Sequence, residues 1–218
     1  MKFFKNWVLN LSLLVLSLFS LAFSDQDEKA EILLRNSQAM LTNLEDLTAR
    51  FQYEIVPTGK TAPVSLVGEL SYKKGKYVIN LNEHNIYNDL ETEWLIIPEQ
   101  NLAIANSYIP GESVNLVEYI YRVFDSPASS SYQGMVEQEG RQFHKIYLTM
   151  DPNFSSYRQA YVWIDAETKF PVKYAFVDAR QVVTTYTFSE IRVNLGLVDS
   201  MFSFDPSADP NLEIQDQR

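Results

Sequence analysis

The sequence predicts a mainly β domain with few helices (α+β), built on one large antiparallel sheet that is closed or half closed. Three observations predict it. From residue 48 onward, apolar and polar residues alternate with period two in run after run. Turn-forming residues separate these runs at short intervals. Only two stretches of the exported part carry the wider spacing of an amphipathic helix.

The chain opens with "MKFFKNWVLNLSLLVLSLFSLAFSDQDEK". Lys2 and Lys5 form a short basic start, and Val8 to Phe23 is a nearly uncharged apolar run. That run suits an export signal and is short for a spanning helix, which needs about 20 apolar residues. Ala22 and Ser24 place small residues three before and one before a cut ahead of Asp25, so cleavage is expected after Ser24. The alternative is an uncleaved N-terminal anchor. Removing 24 of the 218 residues leaves 194, enough for one domain spanning 25–218 with a substantial core. The removed segment holds two lysines and no acid, so the net charge moves from −10 to −12. Such an acidic surface argues against nucleic acid, whose phosphates are met by Lys and Arg, and against lingering on an anionic membrane. It also predicts a monomer, because like-charged copies repel. Plain solubility explains the charge equally well.

The chain contains no cysteine. A disulfide scaffold, thiolate metal sites and cysteine nucleophiles are therefore excluded. A lipid-anchored exported protein would carry its acceptor cysteine just after the cut, where this sequence reads "SDQDE". The protein is expected to be released and not tethered.

Asp25 and Glu28 form a capping pattern, and Ala30, Leu33, Leu34, Leu41 and Leu44 then fall on one face, which predicts a helix over 27–42. The period changes to two in "TARFQYEIV", "SLVGELSYKK" and "KYVINLN". Further strands are expected around 85–89, 92–97, 101–108, 132–138, 142–149, 157–165, 171–178 and 181–193. Between them, "SVNLVEYIYRVFDSP" predicts a second helix, with Ser113 as its N-cap, Pro127 as its stop, and a stripe of Val117, Ile120, Tyr121 and Phe124. "SPASSSYQG" after it reads as a Ser-rich loop.

Phe and Tyr number 13 each, with three Trp. Alternation puts many of them on one face of the sheet. Two short helices offer little to cover it. Two readings remain: a partly empty apolar cavity, or a normally packed core.

Motifs for catalysis are missing. The sequence has no G-x-S-x-G, H-E-x-x-H, G-x-x-x-x-G-K-[ST] or G-x-G-x-x-G. His84 and His144 lie far apart, with no second ligand at metal spacing. Asp165 and Glu167 could be paired on paper, but turns favour the same residues, and nothing selects two carboxylates for glycoside chemistry. No enzymatic activity, cofactor or metal is expected.

Four pieces, in order, make the chain resemble the outer-membrane lipoprotein carrier proteins, the LolA-like family. They are the helix running into "LEDLTARFQYEI", the strands and basic turn of "GELSYKKGKYVINL", the segment "NDLETEWLIIPEQNLAIA", and the tail "FSFDPSADPNLEIQDQR". Two places depart from the family pattern. Its arginine-bearing turn is Lys73-Lys74-Gly75 here, and its Asp-Gly turn is Asp89-Leu90.

The resemblance implies an incomplete antiparallel barrel of about eleven strands, with helices as a lid over an apolar cavity (LolA/LolB-like). It implies a carrier for acylated lipoproteins, loaded by an inner-membrane ABC-type release complex and unloaded to an outer-membrane acceptor. On that basis the acyl-chain contacts would be Phe51, Tyr53, Ile55, Leu66, Leu70, Tyr72, Tyr77, Ile79, Trp94 and Ile96, assigned inward by alternation alone. Val117, Ile120, Tyr121 and Phe124 would form the lid, and Lys73 and Lys74 would hold it or meet a partner. A rival reading keeps the fold and makes it an envelope module that senses a lipid or protein signal.

Overall fold

The computed structural model describes residues 26–60, 62–110, 123–124, 127–153 and 155–218. A helix over 26–42 (α1) comes first. Its buried residues are Ala30, Leu34, Ser37 and Leu41, the spacing of a single helical face. The Ser37 hydroxyl donates to the Lys169 carbonyl at 3.2 Å, so the polar group on that face is satisfied.

Six strands form one antiparallel meander: β1 (Leu47–Val56), β2 (Val64–Lys73), β3 (Lys76–Leu81), β4 (Asn85–Asn88), β5 (Thr92–Ile97) and β6 (Leu102–Ser107). Five form a second: β7 (Pro127–Gln138), β8 (Arg141–Met150), β9 (Tyr157–Asp165), β10 (Pro171–Asp178) and β11 (Val183–Val193). Pairing of β1 with β11 joins the two. A last strand, β12 (Glu213–Asp216), runs parallel to β6. The result is one open, curled 12-stranded sheet, in the order β12-β6-β5-β4-β3-β2-β1-β11-β10-β9-β8-β7.

The turns follow local chemistry. Lys74 (φ 47°) and Gly75 (φ 93°) join β2 to β3, and two positive-φ residues in a two-residue loop match the right-handed twist of the strands. Leu90 holds φ 77°, a conformation that the glycine of an Asp-Gly turn would adopt freely. Its turn is fixed by the Asp89 carboxylate, which accepts from the backbone N–H groups of Glu91 (3.0 Å) and Thr92 (2.9 Å).

Two expectations are corrected. The resemblance implied about eleven strands, and β12 makes twelve. The Ser-rich stretch after the second predicted helix is strand: β7 begins at Pro127 and pairs with β8 through Ser129, Ser130 and Ser131. It is an edge strand, where a first-position proline costs no ladder bond and small polar side chains meet water. Residues 127–131 are therefore a paired strand and not a loop.

The main core lies on the sheet's inner face. It joins α1, Val123 and Phe124 to residues from both meanders, among them Phe51, Leu70, Ile79, Ile146, Val162, Tyr174 and Phe188. A smaller cluster of Trp94, Ile96, Ala103 and Ala105 packs with Tyr87, Phe204 and Leu212 on the other face of β4–β6.

Candidate apolar binding site

Directly paired residues of neighbouring strands share a face, so the register settles which side chains point inward. Ala49 pairs with Leu70, Leu70 with Ile79, Ile79 with Ile86, Ile86 with Leu95 and Leu95 with Ile104. A second row runs Phe188, Phe51, Gly68, Leu81. A third pairs Tyr186 with Tyr53 and Tyr53 with Leu66, and Ile55 lies two residues further along β1. A fourth runs Leu47, Tyr72, Tyr77, Asn88, Glu93. Eight of the ten predicted acyl contacts therefore share the inner face: Phe51, Tyr53, Ile55, Leu66, Leu70, Tyr72, Tyr77 and Ile79.

Trp94 and Ile96 do not. They pair with Ala105 and Ala103 and lie on the opposite face. Phe204 covers them, with its ring 5.3 Å from that of Trp94. Their inward assignment is corrected by one residue, and the inner positions of β5 are Leu95 and Ile97. The register slipped because every residue from Trp94 to Ile97 is apolar and both faces of β5 are covered, so no alternation marks the inside.

The inner face is not uniform. Beneath α1 it is filled: Leu70, Tyr77 and Ile79 are buried. Tyr77 is part of this filled end; its hydroxyl donates to the Glu93 carboxylate. Burial first, and that carboxylate second, hold the Tyr77 hydroxyl far above the usual phenol range. Toward the far ends of β1 and β2 the face opens. Leu66 is 36% exposed, Val64 is 61% exposed, and Tyr53 and Ile55 are half-buried.

A pocket of about 600 Å³ opens at the other end, where α1 finishes. Its apolar wall includes Leu44, Phe170, Val172, Phe188 and Ile191, and Arg141 lies on its rim. Two irregularities build it. In β11, Glu190 and Ile191 together face Ala49, because the register with β1 shifts between Thr48 and Arg50; Glu190 takes φ 51°. In β10, the register with β9 shifts between Pro171 and Lys173, at Val172. Bulges re-aim side chains, and both of these turn residues into the pocket. Sequence reading missed this site, because a bulge interrupts the period-two signal it relies on.

Asp165 anchors the pocket rim. Its buried carboxylate accepts from the Thr168 backbone N–H (2.7 Å), the Thr168 hydroxyl (3.0 Å) and Arg141 Nη2 (2.6 Å). Burial pushes its pKa up, but these bonds and the Arg141 charge outweigh that and hold it below the usual carboxylate value. Asp165 is thus a turn anchor, which accounts for the acidic pair seen in the sequence.

Of the predicted lid, Phe124 packs edge-on to Tyr174, with ring centroids 6.4 Å apart. Val117, Ile120 and Tyr121 lie outside the described residues. The two basic residues have partners elsewhere. Lys73 donates to the Leu197 carbonyl and pairs with Asp199, both at 2.6 Å. Lys74 pairs with Glu45 at 2.5 Å. Both lysines brace the segments that flank the sheet. His144 sits in β8 with Nδ1 3.1 Å from the Tyr132 hydroxyl, and His84 lies in the turn before β4, where its carbonyl accepts from the Leu81 N–H.

No protein-family profile and no curated protein matches the chain. Solved structures do. An uncharacterized conserved protein from Thermus thermophilus is similar at TM-score 0.55 and 9% identity, over 87% of this chain and 99% of that one. LprF from Mycobacterium bovis is similar at TM-score 0.53 and 15% identity, over 78% of this chain and 95% of that one. A LolA superfamily protein from Nitrosomonas europaea overlaps at TM-score 0.39 and 9% identity, over 81% and 98%. At these identities the likeness is one of fold. The fold is the one this chain shares with the Thermus thermophilus protein and LprF, a large curled antiparallel sheet of the kind the sequence led us to expect.

Proposed function

We propose that the protein is a periplasmic carrier that shelters the acyl chains of lipoproteins and shuttles them from the inner to the outer membrane. Its leader would be cut after Ser24, and residues 25–218 would act as a single monomeric domain. An ABC-type release complex would load it and an outer-membrane acceptor would receive the cargo. The observation that carries this reading is the inner face: a curled apolar wall, filled under α1 and open at Tyr53, Ile55 and Leu66. Such a wall replaces bilayer for an acyl chain, each buried methylene of which is worth about 0.8 kcal/mol against water. Transport of this kind needs no bond-making residue.

The test is to mix the purified protein with a triacylated lipoprotein in detergent and then remove the detergent. The expected product is a soluble one-to-one complex in light scattering, which the deacylated form of the same lipoprotein does not give. A lipoprotein that precipitates alone, or a complex that forms without acyl chains, overturns the reading. Val64→Asp and Leu66→Asp should weaken uptake of the acylated form while the fold persists, because both positions reach water.

A further inference from the structure

The pocket at the end of α1 lies apart from the open stretch of inner face at Tyr53 and Leu66. We propose that this pocket binds one single-chain anionic amphiphile, its chain against Leu44, Val172, Phe188 and Ile191 and its headgroup on Arg141. The inference rests on the reading of the curled sheet as an apolar container, and it adds a second, smaller ligand with a charged end.

Four features support it. The volume, about 600 Å³, falls in the range of about 300–1,000 Å³ that holds one drug-sized molecule. The wall is apolar and shaped by two bulges, one of which holds Glu190 in a left-handed conformation. Strain of that kind persists where the surrounding structure requires the geometry. Arg141 is also aimed in advance. Its Nη2 is fixed on buried Asp165 at 2.6 Å, while its side chain stays 59% exposed. Among the described residues its Nε and Nη1 have no protein acceptor, so part of the planar fork remains for a carboxylate or phosphate. Lastly, the one acid on the rim, Glu190, is engaged by Arg50 at 3.3 Å, which lessens its repulsion of an anion.

A fatty carboxylate and a lysophospholipid phosphate share this chemistry, and titration calorimetry separates them. The delipidated protein is titrated with oleate, lysophosphatidylglycerol and neutral dodecyl maltoside, each below its micelle concentration. One-to-one binding is expected for at least one anionic probe, and which of the two binds more tightly identifies the source. Ile191→Trp, which fills the pocket, should abolish it. Arg141→Gln should weaken the anionic probes about tenfold, the scale of one charge-assisted hydrogen bond, and leave dodecyl maltoside within about twofold.

Equal loss for neutral and anionic probes, or binding undiminished by Ile191→Trp, overturns the proposal. Should Arg141→Gln fail to fold, a fatty acid with a photoreactive group at its tail is cross-linked to the unaltered protein instead. Label on Leu44, Val172 or Ile191 supports the site, and label confined to Tyr53 or Leu66 overturns it. A triacylated lipopeptide titrated in parallel keeps the two readings apart. Oleate bound and lipopeptide refused sinks the carrier and spares this pocket; the reverse does the opposite.

Discussion

Gly68 shows how a single position shapes the inner face. It lies directly opposite Phe51 across β1 and β2. A Cβ at Gly68 would come within 2.7 Å of the Phe51 ring and of the Leu81 side chain. The glycine is therefore the space the Phe51 ring occupies. Gly68→Ala should destabilise the protein by about 1–3 kcal/mol through overpacking, and Phe51→Leu added to it should recover part of the loss; urea unfolding of the three proteins checks both. A polar counterpart is Asp46, which is buried. Its carboxylate accepts from the backbone N–H groups of Leu195 (2.6 Å) and Leu197 (2.8 Å). Burial pushes its pKa up, yet the N–H groups of Leu197, Leu195 and Gly196, helped by Lys73, hold it below 3.8. A carboxylate whose folded pKa is depressed stabilises the protein above the unfolded pKa and loses that contribution as pH falls through the folded value. Asp46→Asn should thus lower the urea midpoint clearly at pH 6 and much less at pH 2.5. An equal loss at both values would mean that the carboxylate charge contributes nothing.

At the scale of elements, the C-terminal segment decides what the sequence could and could not reveal. Strand β1 was legible because one face is apolar and the other meets water, so its alternation is clean, whereas β3 buries Val78 as well as Tyr77 and Ile79 and is marked out by the Lys74-Gly75 turn before it. The helix α1 was legible for the same reason at its own period. Strand β5 kept its place but not its face, since the tail covers its outer side. The short strand β12 has every residue exposed and carries no apolar pattern; only the path of the tail brings it to β6. That path is set by Phe202, fully buried, and by Asp199, whose carboxyl is held down at about 2 by Lys73 and Lys76. Phe202→Ala should cost about 3–5 kcal/mol. It should also loosen the tail, so that Trp94 fluorescence shifts to the red and amide exchange along β12 quickens. A destabilised variant with unchanged exchange in β12 would show that the tail is held by other contacts. The bulges behind the pocket were illegible for a different reason. Nothing in "YTFSEIRV" distinguishes the residue that will be extra, because that choice is made by the partner strand.

For the molecule as a whole, the balance between α1 and cargo sets whether the sheet can act as a carrier. Ala30, Leu34 and Leu41 tie α1 to the inner face, and burying one leucine is worth about 1.5–3 kcal/mol. An entering acyl chain contributes about 0.8 kcal/mol per methylene, so roughly two to four methylenes offset one leucine that leaves the face. On the proposed carrier reading, a lipoprotein's chains would displace the helix by exchange of apolar contacts, while the release complex would offset the bilayer contacts that the chains leave behind. The exchange is only possible if α1 is free to move. At its start, Lys29 lies over the Tyr132 ring, with Nζ 4.1 Å from the centroid, and this pair marks where helix and sheet can be tied. The protein has no cysteine, so Lys29→Cys and Tyr132→Cys introduce its only two thiols. A short bis-maleimide bridge between them should leave thermal unfolding intact or raised, because it constrains the unfolded chain. It should abolish uptake of a triacylated lipoprotein, and each single-cysteine variant treated with the same reagent should keep it. Full uptake by the verified cross-linked protein would mean that cargo enters without moving α1, through the open stretch at Tyr53 and Leu66 alone.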